Sequence, residues 1–221
     1  MNPATEWPPR PWNPPDEADE LGLVGIGGDL SVSMLLRAYS WGIFPWFSEG
    51  EPVAWWSPDP RAVFPLDGIR VSTRLARTIR SGKFRVTYDR CFTRVIVGCA
   101  QRDEGTWVTT GMMEAYRRLH NLGHAHSLET WVGDDLAGGI YGVSIGGLFA
   151  AESMFYKVAD ASKVALVALG GHLAERGYTL LDTQMLTDHT TRMGAVTIPR
   201  SEYLTRLREA VQVRPQAFGK E

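Results

Sequence analysis

Long apolar runs are absent from this chain. No stretch of its 221 residues approaches the about 18 consecutive apolar positions of a membrane-spanning helix, so no membrane association is expected. The first residues hold no basic segment followed by an apolar run, so no secretory leader is expected. Cysteine is scarce, with Cys91 and Cys99 the whole complement. On an expected helix they stand about two turns apart, too far for a disulfide, and their spacing matches no metal site. Two reduced thiols fit the cytoplasm. His120, His124 and His126 cluster in sequence, but Gly123 would break a helix between the first two. No carboxylate or cysteine stands at a fitting spacing, so no metal is expected.

Acidic residues are nearly missing from one segment. Arg70, Arg74, Arg77, Arg80, Lys83, Arg85, Arg90 and Arg94 face Asp89 alone, a local charge of +7. The whole chain carries −2, which leaves −9 for the remainder. A basic block in an otherwise acidic protein points to a polyanionic partner bound at one place; the plain alternative is a solvated helix and strand. Tryptophan, by contrast, is plentiful: there are eight, a residue used to fill cores or to grip flat rings. Hydrophobic residues at 44% and charged residues at 22% suit a globular protein of one large domain or two small ones sharing a core.

Residues 1–20 hold Pro3, Pro8, Pro9, Pro11, Pro14 and Pro15 before an acidic run, and are expected to lie extended over the surface. Gly25-Ile26-Gly27-Gly28-Asp29 reads as a turn, and Ser31 as the cap of a helix stopped at Gly42. Gly42-Ile43-Phe44-Pro45-Trp46-Phe47 and Trp55-Trp56-Ser57-Pro58-Asp59-Pro60-Arg61 read as rigid aromatic loops. Ser72 should cap a short helix that turns Leu75 and Ile79 inward and Arg74, Arg77 and Arg80 outward. Residues 84–88 alternate as a strand, 91–100 read as helix, and Thr110 as the cap of a helix ended near Gly123. Three strands are expected at 125–132, 136–144 and 148–156. A long helix at 163–175, capped by Asp160 or Ser162, a short buried strand at 179–183, and helices near 187–193 and 201–211 follow. That order resembles the acyltransferase fold shared by the N-acetyltransferases. The expected class is α+β: a small N-terminal α/β domain (21–68) packed on a C-terminal N-acetyltransferase-like (GNAT) domain with a mixed sheet (69–221), the basic segment 70–94 at its start.

Asp182 and Gln184, two apart on the short strand, are expected to share one face. Glu152 puts a carboxylate into an apolar strand. Burying such groups is costly without a partner or a task, which makes the three candidates for chemistry; the alternative is a hydrogen-bond network that orders the sheet. His189 follows Asp188 at a helix start, where capping or acid–base work could use it. Gly25-x-Gly27-Gly28 lacks the lysine and hydroxyl residue of a P-loop. An acetyl-coenzyme A enzyme of this fold needs a glycine-containing pyrophosphate loop before its long helix. Tyr156-Lys157-Val158-Ala159-Asp160-Ala161-Ser162 has no glycine and carries an acid, which disfavours that rival.

Several segments in order carry a more specific signal. They are Gly27-Gly28-Asp29-Leu30-Ser31, the two aromatic loops, Gly105-Thr106-Trp107-Val108-Thr109 with Ala115-Tyr116, and Leu122-Gly123-His124-Ala125-His126-Ser127. Gly139-Ile140-Tyr141-Gly142-Val143, Glu152-Ser153-Met154-Phe155, Ala161-Ser162-Lys163 and Asp182-Thr183-Gln184 through Asp188-His189 complete the series. Across roughly residues 21–205 the chain resembles the leucyl/phenylalanyl-tRNA–protein transferases. It departs from their pattern at Thr183, where the family often has Cys, and at Met185 and Thr187. The resemblance implies a bacterial enzyme of the cytoplasm, expected as a monomer with no metal and no nucleotide cofactor. Such an enzyme moves Leu or Phe from Leu-tRNA or Phe-tRNA onto acceptor proteins with N-terminal Lys or Arg, marking them for N-end rule degradation. It implies that Tyr39, Trp46, Trp107, Tyr116, Met154 and Phe155 line an aminoacyl-adenosine site. By the same resemblance Asp182, Gln184 and Glu152 serve catalysis and acceptor binding. A non-catalytic RNA-binding module would account for the basic block but leave those three without a task.

On this reading Arg70, Arg74, Arg77, Arg80 and Lys83 meet tRNA phosphates without reading sequence. Tightness of tRNA binding, followed by fluorescence anisotropy against salt, should fall steeply. Replacing Arg74, Arg77 and Arg80 together by Ala should flatten the log–log slope by about 2–3. An unchanged slope would make the block ordinary surface.

Overall fold

The computed structural model describes residues 10–101 and 107–219. Residues 1–9 of the proline-rich start and the Gly105-Thr106 pair lie outside them. The first elements build a small antiparallel sheet. Strands β1 (Leu23–Ile26), β2 (Phe44–Pro45) and β3 (Ala54–Trp56) run in the order β1-β3-β2, with helix α1 (Val32–Ser40) between the first two. Both aromatic loops therefore contribute short strands. Ser31 caps α1 by accepting from the Met34 amide. The expected surface path of the N-terminal segment is corrected at Trp12 and Pro15, which are buried, while Asn13, Asp16, Glu17, Asp19 and Glu20 are exposed. Trp12 bridges to Gly25, is 3% exposed, and lies 4.6 Å from the Trp55 ring. Two large apolar rings gain more from mutual burial than a polyproline surface strand would leave exposed.

The remaining strands form one seven-stranded sheet. They are β4 (Arg61–Phe64), β5 (Arg85–Tyr88), β6 (Ala125–Val132), β7 (Asp135–Ile145), β8 (Leu148–Tyr156), β9 (Leu180–Gln184) and β10 (Val196–Ile198), ordered β10-β4-β9-β8-β7-β6-β5. Neighbours are antiparallel except β8 and β9, which are parallel, so the sheet is mixed as expected. The parallel step needs a crossover, supplied by helix α5 (Ala161–Glu175). Strand β4 precedes the expected boundary at 68/69 yet pairs within this larger sheet.

Helices cover both faces. Helices α3 (Phe92–Ala100) and α4 (Thr110–Asn121), with α1, pack on one side; α2 (Thr73–Arg80) and α5 pack on the other. Short α6 (Asp188–Arg192) follows β9, and α7 (Arg200–Ala210) packs over β9. Several local readings need correction. Thr109, not Thr110, caps α4, because its hydroxyl is the one that reaches the Met112 amide. Ile79 is 39% exposed, since the eight-residue α2 buries only Leu75. Neither Asp160 nor Ser162 caps α5: Asp160 occupies the cap position with φ +70° and binds Arg74 and Lys163 instead, while Ser162 is already inside the helix. Thr187 caps α6 in a reciprocal pair with Thr190, which displaces His189 from that task.

Strand β7 lies between α3 and α5, and two glycines let both helices approach. A Cβ on Gly138 would stand 2.8 Å from Ala161 Cβ, and one on Gly139 3.1 Å from Val95. Gly138→Ala should therefore destabilise the fold by about 1–3 kcal/mol through overpacking. Urea unfolding measures this, and an unchanged midpoint would show that α5 shifts freely.

Candidate active site

Strands β8 and β9 pair in parallel only from Leu148↔Leu180 to Ala150↔Asp182. Beyond that point β8 continues along β7 to Tyr156, while β9 stays with β4 to Gln184. The two parallel neighbours part at their carboxyl ends, the place where open sheets form ligand crevices. Glu152 and Gln184 stand on the two sides of the split. Gln184 has φ +57°, a left-handed conformation that a non-glycine residue adopts only when held there. The holding bond runs from the Gln184 amide to Asp182 Oδ1, 2.9 Å. The turned backbone brings Gln184 Nε2 within 3.0 Å of Glu152 Oε1. Two residues expected to share a strand face thus end up with different partners.

Asp182 is sealed, 1% exposed. Its Oδ1 accepts from Arg61 Nε at 2.9 Å as well as from the Gln184 amide, and its Oδ2 from Arg61 Nη2 at 2.6 Å and Tyr203 at 2.9 Å. Those four bonds fill the acceptor capacity of a carboxylate. Arg61 also donates through Nη1 to the Gly42 carbonyl at 3.0 Å, and its guanidinium lies 4.9 Å from the Phe44 ring and 4.4 Å from that of Tyr203. Burial alone would lower the Arg61 pKa; the Asp182 charge overrides that and keeps the guanidinium firmly cationic.

Glu152 has a different environment. Its Oε2 accepts from the Tyr116 hydroxyl at 3.0 Å, and Tyr116 and Tyr39 share a 2.6 Å hydrogen bond. Burial pushes the Glu152 carboxyl up to about 7, although the Tyr39 and Tyr116 hydroxyls pull it down; the Asp182 charge adds to the rise. Burial, then the Glu152 charge, holds both tyrosines well above the ordinary phenol range, so they remain protonated. Glu152 is therefore poised between charge states near neutrality, where a proton-handling group works best. Its neighbour Gln184 donates through Nε2, which leaves its Oε1 for an acceptor role.

Beside this network, Leu21, Phe44, Trp46, Trp56, Pro58 and Met185 line an apolar hollow of about 270 Å³. Trp46 is 40% exposed there, steadied by the bond from Trp56 Nε1 to its carbonyl, 2.8 Å. Met185 directly follows Gln184, so the hollow borders the polar pair. The other residues expected to line an aminoacyl-adenosine site do not line this hollow. Trp107 is half-buried against the N-terminal core. Tyr39 and Tyr116 are enclosed and reach the site through their hydroxyls alone. Phe155 is enclosed against Gly98 of α3, while Met154 points to the opposite face of the sheet and packs toward α5. On α2, Arg74, Arg77 and Arg80 are exposed, as are Arg70 and Lys83. Arg74 Nη2 is tied to Asp160 at 3.1 Å, just beyond the carboxyl end of β8, and α2 packs on α5. His120 and His126 bond to the Ala125 carbonyl and to Asp89.

Sequence reasoning missed Arg61 and Tyr203. Arg61 did leave a signal, a charge heading the apolar run Ala62-Val63-Phe64, the same anomaly that marked Glu152. Tyr203 left none, because α7 reads as an ordinary surface helix.

Split parallel strands, a carboxyl poised near neutrality and an adjoining aromatic hollow make up the candidate site. The family model described as leucyl/phenylalanyl-tRNA protein transferase matches residues 63–208, and the model of that family's N-terminal domain matches residues 28–59. The chain belongs to the leucyl/phenylalanyl-tRNA–protein transferase family. A member from Magnetococcus marinus is 53% identical over 205 residues, 90% of this chain and 87% of that protein. One from Anaeromyxobacter sp. is 51% identical over 210 residues, 93% of this chain and 89% of that protein. Among solved structures the chain is similar to an aminoglycoside acetyltransferase from an uncultured soil sample, with 12% identity, TM-score 0.41, and 51% of this chain and 85% of that chain covered.

The Glu152 environment has a thermodynamic consequence. The folded carboxyl titrates at about 7, above its ordinary 4.5, so between those values the native state holds a proton that the unfolded chain has released. Stability attached to this group is intact below about pH 4.5 and is lost as pH rises through about 7. Glu152→Gln removes the titration. Its stability relative to the wild type should rise by on the order of 3 kcal/mol from pH 4.5 to 8, as measured by urea unfolding. A pH-independent difference would place the Glu152 carboxyl at its ordinary value.

Proposed function

We propose that this protein transfers Leu or Phe from Leu-tRNA or Phe-tRNA to the α-amino group of acceptor proteins beginning with Lys or Arg, marking them for N-end rule degradation. One observation carries the chemistry: Glu152 and Gln184 meet across the split between β8 and β9, beside a hollow walled by Trp46 and Met185. The reaction is aminolysis of an activated ester and needs no nucleotide hydrolysis. The acceptor nitrogen bonds to the ester carbonyl carbon, the bond to the ribose oxygen breaks, and one proton passes from nitrogen to that oxygen.

The acceptor amine has an ordinary pKa of about 7.7–8.0 and must lose a proton before it attacks. Gln184 Oε1 accepts from the amine and orients its lone pair; an amide is too weak a base to do more. Glu152, ionised in part near neutrality, matches the cationic acceptor and can hold the proton. The Tyr116–Tyr39 pair gives that carboxyl donors whose strength does not change with pH. Trp46 stacks on the terminal adenine, worth about 1–3 kcal/mol, and the apolar hollow excludes water from the ester. Arg70, Arg74, Arg77, Arg80 and Lys83 hold the phosphates of the acceptor stem. The enzyme works as a cytoplasmic monomer.

Incubation with labelled Phe-tRNA and otherwise identical proteins beginning with Arg or Glu tests the reading. Label should reach only the Arg protein, with no need for coenzyme A. Gln184→Ala should lower kcat about 100-fold or more, a loss of positioning, while tRNA binding stays near wild type. Transfer of an acetyl group in place of Phe would overturn the assignment. A Gln184→Ala enzyme retaining more than about a third of the rate would remove Gln184 from the chemistry.

A further inference from the structure

We propose that Arg61 is a positioning residue of the transfer reaction: through Asp182 it holds Gln184 in the left-handed conformation that turns the amide to Glu152. The inference takes its assay from the proposed function, but its geometry stands apart from it. Asp182 has no acceptor position left for a substrate amine, since Arg61, Tyr203 and the Gln184 amide occupy both oxygens. Its task is to hold others. One bond from its Oδ1 keeps Gln184 at φ +57°, a conformation that an L-residue with a side chain rarely adopts. Arg61 in turn orients the carboxylate by a two-bond fork, which a rotating ammonium cannot reproduce. The guanidinium is itself fixed from both sides, lying near the Phe44 and Tyr203 rings and bonded to the Gly42 carbonyl.

The same contacts give Arg61 a second consequence. Gly42 and Phe44 lead directly into Trp46, the exposed wall of the hollow. One side chain therefore sets the distance between the ring-binding wall and the amide that orients the nucleophile. Tyr203 completes the clamp from α7, and burial keeps its hydroxyl protonated well above the ordinary phenol range. Neither residue reaches the cleft, so each acts through another group and not on substrate.

The test uses the full-length enzyme, single-turnover transfer from Phe-tRNA, and tRNA affinity measured separately. Arg61→Lys keeps the charge and loses the fork. It should lower the transfer rate about 100-fold, as a displacement of about 1 Å does, with tRNA affinity within about threefold of wild type. Arg61→Gly opens a space for free guanidinium, and millimolar guanidinium should restore its rate saturably by about tenfold or more, while methylammonium does not. A packing role alone would not distinguish the two cations. Should Arg61→Gly fail to fold, Arg61→Lys decides alone. An Arg61→Lys rate within about threefold of wild type overturns the proposal, as does an Arg61→Gly enzyme that folds and gains nothing from guanidinium. Absence of transfer by the wild-type protein would instead refute the proposed function and leave these bonds as they are.

Discussion

A buried ion pair between Arg61 and Asp182 joins the parts of this protein. Both side chains are 1% exposed and 2.6 Å apart at their closest atoms. Removing two charges from water is expensive, and such a pair holds only when every remaining donor and acceptor is satisfied. Here that condition forces distant segments together. Gly42 from the loop after α1, Phe44 from the small sheet, Asp182 from the centre of the large sheet and Tyr203 from the last helix all contact one guanidinium. Loss of either partner alone would strand a charge at a cost of about 3–5 kcal/mol. The pair thus specifies where the small sheet sits on the large one.

The same interior sets up two carboxyl groups with different properties on adjacent strands. Asp182 meets a cation through two bonds and two further donors, the Gln184 amide and the Tyr203 hydroxyl. Glu152 meets only neutral donors, and its burial dominates, so its proton is held to about 7. The strands carrying them are parallel neighbours that part just beyond Ala150 and Asp182. Beyond the split Gln184 stays paired with β4 and bridges by its side chain to Glu152 on β8. The geometry of the sheet and the protonation of the site are therefore one arrangement.

Charge is organised on a larger scale. The basic helix α2 lies on the α5 side of the sheet, and Arg74 reaches Asp160 at the start of α5. Asp160 sits at the N-terminal cap position of α5, and its negative charge anchors a cation of α2 and Lys163.

Much of this was legible in the sequence. The three strands 125–132, 136–144 and 148–156 are bounded by short turns, and they are recovered as β6, β7 and β8 within a residue. Glu152, Asp182 and Gln184 were marked by polar chemistry in apolar strands, a signal that survives without knowledge of neighbours. Residues 1–20 misled, because proline argues against helix and sheet but says nothing about whether Trp12 finds Trp55. Tyr39 and Tyr116 could be named but not placed, since their rings are buried and only their hydroxyls arrive at the site. Sequence alone determined the element order, the basic helix and which side chains were too polar for their surroundings, because those depend on local spacing and composition. Tertiary structure alone decided that Asp182 is saturated by Arg61 and Tyr203, that Gln184 takes a left-handed turn, and that Glu152 holds its proton to near neutrality. Hydrogen-bond saturation and desolvation are set by groups far apart in the chain, and no local pattern records which of them will meet.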